Sequence, residues 1–141
     1  NPETVREALL DCMWDDVGIL REGPRLRRAI GRLAELDAEL DRTGVDGTHR
    51  DYNMSWHDWL NLKSLIAVSR VIAIAALARE NSRGAHFRED FPEAGDLATS
   101  SFTVARQHGD KIEIGHERVQ FTRVEPGESL IREAVAMQAP R

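Results

Sequence analysis

The sequence predicts a mainly α protein: a three-helix antiparallel bundle of the spectrin-repeat kind, followed by a small antiparallel β-hairpin or meander. Two observations predict this architecture. Three stretches within the first 81 residues place apolar side chains three and four positions apart, which is the period of a helix. After Pro92 the apolar residues instead alternate with polar ones, which is the period of a strand. We expect the bundle over residues 1–92, and the hairpin with its tail over residues 93–141, packed together as one domain.

The first two helices are predicted from their apolar stripes. Over residues 3–17 the stripe consists of Val5, Leu9, Met13 and Val17. Over residues 24–42 it consists of Leu26, Ile30, Leu33, Leu36 and Leu40. The second stripe is the clearer, because charged side chains occupy the opposite side of that helix. Pro24 suits the first turn of a helix, where its missing N–H costs nothing.

A third helix is predicted over residues 56–81, with Ser55 as its N-cap and Asp58 in its first turn. Its apolar residues cover more than one stripe, so we expect it at the centre of the bundle with the other two helices against it. Residues 43–55 contain two glycines and little periodicity, and they are expected to form the connecting loop.

The most apolar part of the third helix, residues 65–78, resembles a membrane span only superficially. Ser69 and Arg70 interrupt it, and it falls short of the roughly 20 apolar residues that cross a bilayer. We therefore expect a buried core helix and no transmembrane segment.

The hairpin is predicted from alternating residues on either side of a turn at residues 108–110, namely Phe102, Val104, Ile112 and Ile114. A third alternating stretch contains Val119, Phe121 and Val124. The tail beyond Pro126 is expected to be either a short helix or loose chain.

Length, charge and sulfur content limit the possible functions. The 141 residues fit one core, with 41% hydrophobic and 30% charged residues, as in ordinary globular domains. A net charge of -5 opposes binding to nucleic acid, so no such partner is expected. Cys12 is the only cysteine, which excludes an intrachain disulfide and favours a reducing cytoplasm. The sequence starts at Asn1 rather than Met, and we expect it to begin partway through a longer protein.

Residues 82–92, SRGAHFREDFP, contain the densest group of ionisable side chains. Gly84 could adopt the left-handed conformation that ends a helix, with Arg83 beside the negative helix end. One interpretation is a helix stop followed by a loop that is held by ion pairs between Arg88 and Asp90 or Glu89. The other interpretation is a functional segment.

Other candidate sites are better explained as ordinary structure. A metal site would draw on His49, His57, His86, Asp51 and Asp58, but these show neither a His-x-x-x-His pair nor cysteine pairs. Cys12 has no histidine partner at a spacing typical of a nucleophile, and we expect it to be buried. Packing at the ends of the bundle is favoured over a partner surface for Trp14, Trp56 and Trp59.

Two ordered motifs resemble one family. Residues 82–92 are similar to the sequence that closes the last long helix in succinate dehydrogenase and fumarate reductase flavoproteins. Residues 13–21, MWDDVGILR, look like the MWxxVGIxR stretch that opens the same domain in those enzymes and in the more distant L-aspartate oxidase. Residues 61–84 and 102–119 resemble the family's long helix and terminal hairpin, so the resemblance covers nearly the whole chain. After Pro92 the sequence EAGD replaces the family's frequent Arg-Asp-Asp run, which leaves a soluble relative open.

The resemblance implies that the parent protein is an FAD-dependent oxidoreductase acting on a dicarboxylate. This chain has no Gly-x-Gly-x-x-Gly turn for a dinucleotide, so we expect no catalytic, cofactor-binding or metal residue in it. We expect it to dock on the flavin-binding and capping domains of the parent, and through the parent to meet an iron-sulfur subunit. The expected docking residues are Arg83, Gly84, His86, Arg88, Glu89 and Asp90.

The resemblance also implies a cytoplasmic location, peripheral to the inner membrane on its cytoplasmic side in a parent complex. Detached from its parent, the chain is expected to self-associate through its exposed docking surface. Two alternatives remain open: a free-standing helical interaction or assembly adaptor, and a small metal-dependent hydrolase. The upstream reading frame discriminates the first, and elemental analysis the second.

Overall fold

The structure, a computed structural model, describes residues 2–45, 47, 49 and 51–129. Within these residues the predicted architecture is confirmed, with three helices followed by an antiparallel hairpin. The helices are α1 (Pro2–Val17), α2 (Gly23–Thr43) and α3 (Met54–Ala78). A short parallel pair is formed by β1 (Leu20–Arg21) and β2 (Phe87–Arg88), and the hairpin by β3 (Ser101–His108) and β4 (Lys111–Arg118).

Side-chain contacts show the directions of the helices. Asp16 at the end of α1 accepts a hydrogen bond from Arg28 Nε near the start of α2, at 3.1 Å. The indole of Trp59 near the start of α3 donates to the Leu40 carbonyl near the end of α2, at 3.0 Å. Neighbouring helices in the chain are therefore antiparallel, as predicted.

Helix α2, not α3, lies at the centre of the bundle. It packs along both other helices, whereas α1 and α3 meet over a smaller area. The prediction of a central α3 is wrong, because the leucines of the α2 stripe are fully buried while one side of α3 stays exposed. The largest buried apolar side chains are Val5, Leu9, Leu26, Leu33, Leu36, Leu40, Leu62 and Ile66.

Both ends of α3 differ from the prediction. Asn53, not Ser55, caps its start, because the Asn53 side-chain oxygen accepts from the Trp56 N–H at 3.0 Å. The helix ends at Ala78, since Arg79 turns into the extended conformation. Arg83 and Gly84 therefore lie beyond the helix rather than in its last turn. Gly84 does have the expected positive φ, 56°, in the tight turn that follows.

One side of α3 is apolar and uncovered. Leu60, Leu65, Val68 and Ile72, which we call the outer face of α3, are each between 37% and 56% exposed. The expectation of a buried core helix is thus correct for only one side of α3. The helix is long and apolar enough to cross a membrane by length and composition alone, and 28% of its apolar window is buried.

The tryptophans do not share one environment. Trp59 packs against the core, as expected. Trp14 is 82% exposed and Trp56 is 46% exposed, so the prediction of core packing is wrong for Trp14 and only partly met by Trp56. Trp14 lies on the side of α1 that faces away from α2.

Gly18 ends α1 and allows a close backbone approach. A Cβ at this position would lie 2.5 Å from the Trp14 carbonyl oxygen, so a larger residue would force the backbone to move. The chain then enters β1, where Leu20 pairs with Phe87 and Arg21 with Arg88 in parallel register. The sequence did not predict this strand pair. It connects the residues just before α2 with residues that follow α3.

The hairpin follows the predicted alternation. Its strands pair from Ser101 with Arg118 to His108 with Lys111, and Gly109 takes a positive φ of 60° in the turn. Both strands contact α3. The third alternating stretch, residues 119–124, forms no strand, and the predicted tail beyond residue 129 lies outside the described residues.

Candidate docking site at the end of the bundle

Residues 82–92 fold back across the end of α3 and the start of α2. Backbone hydrogen bonds hold both sides of this segment. Ser82 N donates to Glu93 O at 2.9 Å, Arg83 and His86 bond each other's backbones, and Glu89 N donates to Arg21 O at 2.8 Å. The segment is therefore a structured cover over two helix ends.

Arg88 is the buried centre of this cover. Its side chain is only 2% exposed. Nη1 donates to the carbonyls of Ala76, Leu77 and Arg79 at 3.0, 2.9 and 3.3 Å. These carbonyls lack helical partners at the C-terminal end of α3, so one cation satisfies acceptors at the negative end of the helix dipole.

The remaining donors of Arg88 form a two-pronged ion pair with Asp90. Nε reaches Oδ1 at 2.7 Å and Nη2 reaches Oδ2 at 2.7 Å. Asp90 Oδ2 also accepts from the Gly23 N–H at 2.8 Å, at the start of α2. Hydrogen bonds from Arg88 and Gly23 hold the pKa of the Asp90 carboxyl well below its usual range, and the same Asp90 contact favours the charged form of Arg88 and raises its pKa.

His86 is also bonded on both ring nitrogens. Arg21 Nη1 lies 2.9 Å from Nδ1, and the Arg79 carbonyl lies 3.1 Å from Nε2. An arginine can only donate, so Nδ1 accepts and Nε2 carries the proton that is donated to Arg79. Burial, with the nearby positive charges of Arg79, Arg21 and Arg88, lowers the pKa of His86, although its bond to the Arg79 carbonyl opposes this shift. The imidazole is therefore neutral near pH 7.

Arg83 ties the segment to the chain that leads into the hairpin. Nη1 donates to Ser100 Oγ at 2.7 Å, Nη2 donates to the Asp96 carbonyl at 3.1 Å, and Nε donates to the Ala94 carbonyl. All three acceptors are neutral. Arg83 thus holds residues 94–100, which lead into β3, and these contacts leave its positive charge unneutralised.

The six expected docking residues therefore divide into two groups. The side chains of Arg83, His86 and Arg88 bond within the chain, and Asp90 completes the ion pair with Arg88 that one interpretation expected. Glu89 forms no such pair with Arg88 in the described structure. Gly84 and Glu89 are exposed, and Phe87 between them is 37% exposed.

The structure brings in three further residues, Gly23, Arg21 and Arg79. Arg21 ends the MWDDVGILR motif, and Arg79 follows α3. Nothing in the sequence indicates that the side chains of Arg21, in the first motif, and His86, in the second motif, contact each other.

Several apolar side chains on α1 and on the β1–β2 pair are exposed. Leu20 and Phe87 are adjacent across the β1–β2 pair. Leu10 and Trp14 lie one helical turn apart on α1, and Ile19 is 77% exposed.

The potential metal-ligating and nucleophilic side chains of the described residues do not gather in one cluster. No group of three or more His, Cys, Asp or Glu side chains is placed there to hold a metal ion. Cys12 is buried, and burial together with the charge of Asp16 raises the pKa of its thiol. The arrangement at the end of the bundle is a network of hydrogen bonds around the buried guanidinium of Arg88.

The fold and this segment together match one class of protein module, the C-terminal domains of a flavoprotein family. The family model described as fumarate reductase flavoprotein C-term matches residues 6–131. The chain therefore belongs to the succinate dehydrogenase and fumarate reductase flavoprotein family, within its C-terminal domain. This confirms the resemblance of the two motifs.

Individual relatives agree with this assignment. The chain is 34% identical over 125 residues to the fumarate reductase flavoprotein subunit of Mycobacterium tuberculosis, covering 88% of this chain and 21% of that protein. It is 33% identical over 109 residues to the succinate dehydrogenase flavoprotein subunit of Coxiella burnetii, covering 77% and 19%. The solved structure of Mycobacterium smegmatis Sdh1 in complex with UQ1 superposes with a TM-score of 0.76 at 32% identity, covering 86% and 21%. The chain spans about a fifth of the length of these relatives.

Proposed function

We propose that this chain is the C-terminal helical domain of an FAD-dependent succinate dehydrogenase- or fumarate reductase-like oxidoreductase, with a structural, domain-docking role and no catalysis of its own. The observation that carries the proposal is the outer face of α3. Four large apolar side chains on one side of α3 are left exposed by this chain, and an exposed apolar face on a long helix is typical of an interaction surface. The flavin-binding and capping domains of the parent would cover this face.

The segment at residues 82–92 has a supporting part in this proposal. Arg83, His86, Arg88 and Asp90 hold the end of the bundle in one shape through bonds inside the chain. Gly84 and Glu89, with the exposed ring of Phe87, would then contact the flavin-binding domain. Docking in this form depends on the bonds that Arg83 and Arg88 make inside the chain, without requiring either arginine to cross the interface.

The activity of the whole protein follows from its relatives as a further proposal. Their names describe flavoprotein subunits of fumarate reductase and succinate dehydrogenase, and one relative is named an FAD-dependent oxidoreductase. We propose FAD in the parent, a dicarboxylate substrate, an iron-sulfur subunit as neighbour, and a cytoplasmic position peripheral to the inner membrane. None of these requires a cofactor-binding residue in this chain.

The docking proposal is tested in the complete flavoprotein with Val68→Glu, which places a charge on the outer face of α3. We expect a lower melting temperature and faster flavin loss, with an unchanged KM for the dicarboxylate. Leu97→Glu, at an exposed apolar position outside α3, is the matched control. A substrate-affinity defect with normal stability and flavin content would overturn the proposal.

A free-standing interaction or assembly adaptor is the second candidate, because the same outer face could bind a separate protein. The encoding reading frame separates the two candidates. Codons for a flavin-binding domain upstream of Asn1 support the domain assignment, whereas a natural start codon at that point supports the adaptor.

A further inference from the structure

The cleft between the end of α3 and the β3–β4 hairpin contains an unusual concentration of positive charge. Arg21, Arg79 and Arg83 all line it, on the side occupied by His86. No carboxylate in the described residues lies within ion-pair distance of any of these three arginines, although the chain has 24 acidic and 19 basic residues. The cleft is therefore locally positive, although the protein as a whole is acidic.

The arginine side chains are held in place by neutral acceptors. Arg21 Nε donates to the carbonyls of Val17 and Gly18 at 3.1 and 2.9 Å, and its Nη1 is fixed by His86. Arg79 Nε donates to the Asn81 side-chain oxygen at 2.9 Å. Little side-chain entropy remains to be lost when a ligand binds, because these guanidinium groups are already oriented.

Unused donors remain on two of the arginines. Within the described residues, Arg21 Nη2 and both Nη atoms of Arg79 have no hydrogen-bond partner. The charge of Arg79 and partial burial together lower the pKa of Arg21, with burial the larger cause. An anion that accepts from these donors would relieve the repulsion between the two cations.

Apolar side chains line the same cleft as the arginines. Ile72 from α3, Phe102 from β3 and Val119 after β4 line it, and Ile72 and Phe102 are 42% and 60% exposed. A cleft that contains both planar cationic forks and apolar side chains suits a flat anion carried on an apolar body. A carboxylate matches the fork of a guanidinium in size and geometry.

We propose that this cleft is a binding site for a carboxylate group, with Arg21 and Arg79 as the donors and Arg83 as a fixed positive charge. The carboxylate can come from a free organic acid or from an aspartate or glutamate side chain of another polypeptide segment. The cleft shares Ile72 with the outer face of α3, but carboxylate binding does not depend on the docking role of that face, since it is tested in this chain alone.

The test observes the arginine Nε–H signals of the 141-residue chain by NMR during titration with three probes. These are sodium acetate, the peptide acetyl-Leu-Glu-Leu-amide and its uncharged counterpart acetyl-Leu-Gln-Leu-amide, with chloride at equal ionic strength as the reference. We expect acetate and the glutamate peptide to shift the Arg21 and Arg79 signals with saturation. Tighter binding of the glutamate peptide identifies a polypeptide side chain as the source, and equal binding identifies a free acid.

Two variants and a control complete the test. Arg79→Gln should weaken binding by about tenfold or more, the usual worth of a charged hydrogen bond. Arg79→Lys should recover part of that loss, because it keeps the charge and removes the fork. Arg42→Gln, at the exposed far end of α2, should bind as the unchanged chain does. The proposal is overturned if neither carboxylate saturates the signals, if chloride or the glutamine peptide acts equally, or if Arg42→Gln weakens binding as much as Arg79→Gln.

Discussion

The backbone N–H of Gly23 donates to the carboxylate of Asp90 at 2.8 Å, across a sequence separation of 67 residues. Through Asp90, the start of α2 is connected to Arg88 and from there to the last carbonyls of α3. Two helix ends of opposite dipole charge are thus joined by one ion pair, with the carboxylate at the positive end and the buried guanidinium at the negative end.

Asp90→Asn should destabilise the fold strongly. The substitution leaves the nearly inaccessible Arg88 guanidinium without its anion. Because Asp90 is itself 33% exposed, we expect a loss of about 2 kcal/mol, below the roughly 3 to 5 kcal/mol of a fully buried pair. Urea unfolding of the chain, followed by circular dichroism, measures this loss. Asp11→Asn on the exposed side of α1 should change the free energy of unfolding by less than about 0.5 kcal/mol. If Asp90→Asn lowers the free energy of unfolding by no more than Asp11→Asn does, the ion pair contributes little to stability.

His86 should make the stability depend on pH. Its folded-state pKa is lowered, so the unfolded chain binds the proton more readily. Its stabilising contribution is complete above the unfolded pKa of about 6.5 and is lost as the pH falls toward the folded pKa, with a slope of up to about 1.4 kcal/mol per pH unit. Free energies of unfolding measured between pH 7.5 and 5.5 should therefore decline, and His86→Gln should flatten the decline. His57→Gln, at an exposed histidine, should leave the decline unchanged. Equal flattening by both variants would contradict the attribution of the pH dependence to His86.

Two glycines of α2 should respond to alanine in opposite directions. At Gly23 a Cβ would lie 3.1 Å from Asp90 Oδ2, so Gly23→Ala must push the carboxylate away and should cost about 1 kcal/mol or more. At Gly31 nothing lies within 4 Å, and Gly31→Ala should stabilise this exposed helix position by roughly 0.5 to 1 kcal/mol. Melting temperatures of the two variants provide the comparison. Stabilisation by Gly23→Ala would mean that the contact with Asp90 can relax freely.

Cys12 should react slowly with thiol reagents. The thiol is buried and its pKa is raised, so both access and the thiolate fraction are low. At pH 8 the native chain should react with 5,5′-dithiobis(2-nitrobenzoic acid) about a hundredfold more slowly than the same chain in urea. Similar rates in the two conditions would place Cys12 at an accessible position.

The sequence was informative where a local pattern has a single structural explanation. The stripe from Leu26 to Leu40 repeats at three and four residues along one helix, and all its leucines are buried. The alternation around Gly109 likewise specified the hairpin, and two short motifs were sufficient to indicate the family. Each of these signals lies within a stretch of about 25 residues or fewer.

The sequence was uninformative where the structure depends on contacts between distant segments. The apolar residues of α3 cover more than one side of the helix, and their pattern does not show which side packs against α2. The prediction that α3 lies at the centre was therefore wrong. Strands of two residues, such as Leu20–Arg21, are too short to show alternation. The bond between Arg21 and His86 joins residues 65 positions apart, and neither residue type specifies the other as its partner.

The short β1–β2 pair also bears on the order of folding. The chain between β1 and β2 contains both α2 and α3. Closing so long a loop costs chain entropy that two strand residues cannot offset, so the strand pair is stable only after α2 and α3 have docked. We therefore expect contacts at Asp90 to be absent from the folding transition state. In stopped-flow experiments, Asp90→Asn should accelerate unfolding and leave the refolding rate nearly unchanged. The cover at the end of the bundle would then govern how long the folded chain persists, while α2 and its neighbours govern how fast it forms.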